Sequence, residues 1–122
     1  MRMVSVLIVD DDLFLHKVLE RILVIGGHSV VGHAYDGVEA IKLYNELNPK
    51  PDIILMDHRM PVMNGATATR AIIDINPKSL ILFISADETV KVEALESGAI
   101  GFLTKPIRST ELFAEIDKHI TP

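Results

Sequence analysis

The sequence contains no cysteine and no tryptophan. Lack of cysteine excludes a disulfide framework, a thiolate zinc site and a cysteine nucleophile together. Apolar runs reach only four to six residues, as in Val6–Val9, too short to span a bilayer. Basic residues are in deficit, with 12 Lys and Arg against 17 Asp and Glu, a formal charge of −5. Phosphate backbones need a basic face, so direct nucleic-acid binding is not expected. No secretory leader is legible either, since Met1-Arg2-Met3 runs straight into a strand pattern. What remains is 48% hydrophobic and 24% charged over 122 residues, too apolar for disorder. Residues 1–122 are expected to form one cytoplasmic domain, burying roughly two-thirds of its unfolded surface.

Two periodicities alternate along this chain. Val4–Val9 is a β-branched strand, and Leu13–Ile25 then takes helical spacing. Leu15, Val18, Leu19, Ile22 and Ile25 fall on its inner face, with His16, Lys17, Glu20 and Arg21 opposite. Gly26-Gly27 stops this helix. Ser29–Tyr35 is the second strand, and Asp36 with Glu39 three residues on signals a helix start. That helix turns Val38, Ile41, Tyr44 and Leu47 inward and ends at Asn48-Pro49. Strands at Asp52–Met56, Leu80–Ile84 and Ala99–Leu103 alternate with helices at Gly65–Ile75, Glu88–Ser97 and Ser109–Ile120. Five strands alternating with five helices imply right-handed βαβ units, a parallel sheet and a three-layer αβα sandwich.

Ligands of such sheets sit beyond the carboxyl ends of the strands. Those ends carry Asp10, Asp11 and Asp12, then Asp57, then Ser85, then Lys105-Pro106. Two carboxylates ~4 Å apart repel by about 4 kcal/mol at an effective dielectric near 20, so a proton, cation or metal must offset them. Oxygen donors without His or Cys favour magnesium. The competing reading makes Asp10–Asp12 an acidic cap for the first helix. Lys105 is either a solvated charge before a turn proline or an anion holder at the rim, and Ser85 alone is equally a turn or cap residue.

Several segments together carry a resemblance. Val6-Leu7-Ile8-Val9-Asp10-Asp11-Asp12, Asp57-His58-Arg59-Met60-Pro61-Val62-Met63-Asn64-Gly65, Ser85-Ala86 and Gly98-Ala99-Ile100-Gly101-Phe102-Leu103-Thr104-Lys105-Pro106 lie in order at successive strand ends. Over the whole chain they resemble the CheY-like receiver domain of two-component response regulators. The resemblance implies a flavodoxin-like, doubly wound five-stranded sheet of order 2-1-3-4-5. It implies that Asp57 accepts a phosphoryl group from a phosphohistidine on a sensor histidine kinase or histidine phosphotransfer protein. Asp11, Asp57 and the Arg59 backbone carbonyl then ligate magnesium, with Asp10 helping through water. Lys105 and Ser85 contact phosphoryl oxygens, and Ser85 with Phe102 forms a switch that alters the helix 4, strand 5 and helix 5 surface for a target protein. Such a domain catalyses only its own phosphorylation and dephosphorylation. It is expected as a monomer or a weak phosphorylation-dependent dimer without membrane attachment or an output domain.

Other features depart from the family pattern. Phe102 lacks the hydroxyl of a tyrosine, and His58 stands where the family mostly has an apolar residue. His58 reads either as a surface imidazole or as a group tuning pH dependence. Arg59 and Asp87 are expected to pair across the mouth of the site and restrict water. His16, His28, His33 and His119 lack paired ligand spacing and read as surface or loop residues, while Met60 and Met63 read as packing. Three other functions compete with this one. Asp10-x-Asp12 imitates a haloacid-dehalogenase phosphatase nucleophile, but Glu111, Glu115 and Asp117 beyond Lys105 lie inside a helix, away from any strand end. A flavin-binding module would need a hydroxyl-rich first loop and flanking aromatics. A receiver without phosphotransfer, used as an interaction module, leaves the full acceptor set unexplained.

Overall fold

The computed structural model describes residues 3–120. Strands β1 (Ser5–Val9), β2 (Ser29–Ala34), β3 (Ile53–Met56), β4 (Ile81–Ser85) and β5 (Gly101–Thr104) alternate with α1 (Leu13–Ile25), α2 (Gly37–Glu46), α3 (Gly65–Ile75), α4 (Lys91–Glu96) and α5 (Ser109–Ile120). All strand pairs are parallel, and the order is β2-β1-β3-β4-β5. The expected architecture and strand order are both present. No described helix is long and apolar enough to cross a membrane.

The sheet separates two cores, because alternate side chains of a strand point to opposite faces. Leu7, Val9, Ile54, Met56, Ile81 and Phe83 pack with Ala40, Tyr44, Ala66, Ala68, Ile72 and Ala94 from α2, α3 and α4. Val6, Ile8, Ile53, Leu55, Leu82 and Ile84 pack with Leu19 and Leu23 of α1 and Leu112 and Ile116 of α5. Between Val6 and Leu7 the register with β2 shifts, from Val6↔Val30 to Leu7↔Gly32.

Helix starts follow their caps. Asp12 accepts from the Phe14 and Leu15 amides at 2.9 and 3.3 Å. Asp36 accepts from the Glu39 amide at 2.8 Å, while the Glu39 carboxylate accepts from the Tyr35 amide at 2.8 Å. Asn64 caps α3 through the Thr67 amide. Gly27, at φ +88, supplies the left-handed turn after α1. The Glu88–Ser97 helix divides into a 3-10 turn, Glu88–Val90, and the six-residue α4, whose first turn has no side-chain cap.

Several inward assignments need correction. Ile25 is 79% exposed and Val38 46% exposed; α2 buries Tyr44 as expected, together with Gly37 and Ala40, while Ile41 and Leu47 pack partly against the same core. In α1 the buried line is His16, Leu19 and Leu23, so His16 lies inside, opposite to its expected face. The packed stripe of α1 follows three- and four-residue steps from an imidazole whose polar atoms are satisfied internally. His28 is also buried, its Nδ1 accepting from the Val4 amide at 3.1 Å.

Candidate functional site

Asp10 and Asp57 stand just past the ends of neighbouring strands β1 and β3, held by backbone bonds from the sheet. The Asp10 amide donates to the Ala34 carbonyl at 3.1 Å and the Asp57 amide to the Val9 carbonyl at 2.9 Å. The Lys105 amide bonds the Ser85 carbonyl at 2.9 Å, which joins the ends of β4 and β5. One rim therefore collects Asp10, Asp11, Asp57, Ser85 and Lys105, as the sequence reading places them.

Carboxylate oxygens of Asp10, Asp11 and Asp57 approach within 4.8 Å of one another. Asp10 is 2% and Asp57 7% exposed, whereas Asp11 is exposed. Lys105 Nζ donates to Asp10 Oδ2 at 2.9 Å and lies 3.6 Å from Asp57 Oδ1. Burial pushes the Asp57 carboxyl up to about 6, with the negative charge of Asp10 adding to it and Lys105 opposing. Burial disfavours the Lys105 ammonium, but its bond to Asp10 and the charge of Asp57 outweigh that and raise its pKa. The triple aspartate divides its work between both readings offered for it: Asp12 caps α1, and Asp10 and Asp11 face Asp57.

A hard divalent cation fits this donor set. Three oxygen-donor side chains converge on one point with a single nearby ammonium, and no sulfur or imidazole is among them. The close packing beneath Asp57 is equally specific. A Cβ at Gly65 would lie 2.0 Å from the Asp57 carbonyl oxygen, and the Gly65 amide donates to the His58 carbonyl at 2.9 Å. Only glycine lets α3 start against the Asp57–His58 backbone.

Around the rim, Ser85 is buried and its hydroxyl accepts from the Asp87 amide at 3.1 Å. Arg59 and Asp87 pair as expected: Nε donates at 3.1 Å and Nη2 makes a second bond to the same oxygen. Hydrogen bonds from Thr89, then from Arg59, hold the Asp87 carboxyl down at about 2. Phe102 is half-buried, pairs in register with Phe83 and packs on the α2–α4 core. Met60 and Met63 pack against that same core. The surface reading of His58 is corrected: the ring is buried, tilted towards Phe83 at 6.2 Å, with Nε2 3.8 Å from Glu93 on α4. Sequence reasoning missed the histidine behind Asp10, His16, which bonds its carbonyl. The four-residue spacing of His16 and Glu20 was the available signal.

Residues 6–117 match the family described as response regulator receiver domain. The chemotaxis protein CheY of Thermotoga maritima is 39% identical over 115 residues, covering 93% of this chain and 94% of that protein. The CheX–CheY complex with BeF3 and magnesium from Borrelia burgdorferi contains a chain superposing with a TM-score of 0.90 at 31% identity, over 97% of this chain and 90% of that one. The receiver domain of a sensor histidine kinase from Pseudomonas aeruginosa, solved with magnesium coordinated in its active site cleft, gives 0.88 at 27% identity, over 99% of this chain and 100% of that one.

Proposed function

The chain belongs to the response regulator receiver family, and from that premise we propose that it accepts a phosphoryl group on Asp57 from a phosphohistidine of a sensor kinase or phosphotransfer protein. The observation that carries this reading is the shared placement of Lys105 on Asp10 and Asp57, with Asp11 completing the acidic rim. Asp57 attacks as carboxylate, forming an Oδ–P bond while the P–N bond to the donor imidazole breaks and that imidazole takes up a proton. Asp11, Asp57 and the Arg59 carbonyl would hold magnesium, with Asp10 assisting through water. When bound, magnesium neutralises charge on the transferring oxygens. Receiver domains are signalling domains, and attack of water on the acyl phosphate breaks its O–P bond, releases inorganic phosphate and returns Asp57 to the carboxylate.

Lys105 is placed to exchange its Asp57 contact for a phosphoryl oxygen while it keeps Asp10. Ser85 Oγ accepts from the Asp87 amide, which leaves its own hydroxyl proton available to donate to the phosphoryl group. A phosphoryl group adds about −1.5 to −2 charges and three acceptors. Drawing Ser85 towards it opens space for Phe102 and biases the α4–β5–α5 surface read by a target protein. The Arg59–Asp87 pair spans the mouth and restricts the water that hydrolyses the acyl phosphate.

Incubation with acetyl phosphate and magnesium, followed by intact mass, tests the reading. Wild type gains one phosphoryl group and Asp57→Asn gains none. An unmodified wild type leaves the interaction-module reading in its place.

A further inference from the structure

A line of side chains lies behind the acidic turn, and the phosphoryl chemistry above does not use it. His16 of α1 is 3% exposed, and its Nε2 lies 2.7 Å from the Asp10 carbonyl oxygen. A carbonyl only accepts, so Nε2 carries the hydrogen and Nδ1 is left as an acceptor. His33 Nδ1 lies 2.8 Å from that atom, and His33 Nε2 lies 2.8 Å from Glu20 Oε1. When His33 carries both ring protons, every contact in the line is a hydrogen bond. The Tyr35 ring leans on His16 with centroids 4.4 Å apart. Burial pushes the His16 pKa below its ordinary value, in keeping with a neutral ring.

The register shift in β2 is what brings His33 to this line. Val30 and His33 pair with Val6 and Ile8, which both face the α1–α5 layer, although Val30 and His33 are three positions apart, not two. Strict alternation would turn His33 to the other face. The consequence falls on one peptide group. The Asp10 carbonyl belongs to the peptide leading into Asp11, and the Asp10 amide is already tied to Ala34. Among the described residues nothing hydrogen-bonds the exposed Asp11 carboxylate, so its direction follows from the two peptides that flank it, this one and the Asp11–Asp12 peptide, whose amide donates to Asp10 Oδ1 at 2.8 Å.

We propose that His16, held in orientation by His33 and Glu20, is a positioning residue for the cation site, fixing the Asp10–Asp11 peptide and so aiming the Asp11 carboxylate. This rests on the reading that Asp11 ligates magnesium. The test is the magnesium dissociation constant from titration calorimetry, with the urea midpoint measured on each variant. His16→Leu keeps bulk but removes the donor, and binding should weaken about tenfold or more. His16→Gln keeps an N–H near the Nε2 position and should recover most of that loss. Glu20→Ala, on an exposed residue, should weaken binding by about two- to threefold, because the ring loses only its outer tether.

A merely structural role would lower the urea midpoint of both His16 variants without separating their magnesium affinities. An affinity of His16→Leu within about twofold of wild type overturns the proposal. Should His16→Leu fail to fold, His33→Leu takes its place: weakened magnesium binding in it supports the proposal, and unchanged affinity overturns it. A wild type that binds no magnesium overturns the underlying reading as well. Magnesium binding lost in Asp11→Asn yet unaltered in His16→Leu overturns only the positioning role.

Discussion

Replacing Asp57 by asparagine should stabilise the metal-free domain at neutral pH. Asp57 is held with a carboxyl pKa of about 6, mainly by burial and secondarily by Asp10. An unfolded aspartate titrates about two units lower, so its ionisation opposes folding by about 3 kcal/mol, reduced to about 2 kcal/mol when solvent screening at the rim is allowed for. The folded state binds more protons than the unfolded state between these two values, so this contribution to stability falls as pH rises through that window. It is fully unfavourable above about pH 7 and vanishes towards about pH 4. Asparagine has nearly the same shape and no charge. Urea denaturation followed by far-ultraviolet circular dichroism, without magnesium, should give Asp57→Asn the higher midpoint at pH 7.5 and a near-equal midpoint at pH 4. A variant no more stable than wild type at pH 7.5 refutes the claim that the resting acceptor is electrostatically frustrated.

Arg59→Ala and Asp87→Ala should each speed loss of the phosphoryl group by no more than a few-fold, followed by intact mass after donor removal, because solvent screens an exposed pair. Equal rates in both variants and wild type remove the pair from control of water. Burial lowers the His28 pKa, against the charge of Asp117, so the unfolded chain takes up the extra proton and stability drops as pH falls below about 6.5. His28→Asn, which keeps an acceptor for the Val4 amide, should flatten that acid slope in part, since His16 is shifted in the same direction. Gly65→Ala should cost about 2–4 kcal/mol, because its methyl meets the Asp57 carbonyl and either α3 or the acceptor must shift. Side-chain chemical shifts of Phe102 should move when beryllofluoride mimics the phosphoryl group, and unmoved shifts take the aromatic out of the switch.

Strand ends were legible because polar residues stop apolar runs abruptly there, and the fold turns those stops into one rim. Asp10, Asp57, Ser85 and Lys105 were found in this way. The direction of α1 was misread at His16 and Ile25 because hydropathy assigns an imidazole to water. A ring whose nitrogens are both bonded inside the protein costs little to bury. His33 was hidden for a different reason: its face depends on the Val6/Leu7 register shift, a backbone event without a hydropathy signature. Asp12 and Asp10 look alike in sequence, and only the helix start separates cap from cluster.

The division of the interior by the sheet sets where motion is cheap. The four strands β1, β3, β4 and their neighbour β2 give the acceptor a stiff floor, with β1, β3 and β4 almost wholly shielded from solvent. Directly beside it, α4 has six residues, follows Val90 without a side-chain cap, and anchors to its core chiefly through Ala94. So short a helix has little cooperativity of its own and opens at low local free energy. Under the proposed function, a charge added to Asp57 on the rigid side would reach this least anchored helix first, and the sheet beneath would keep its packing.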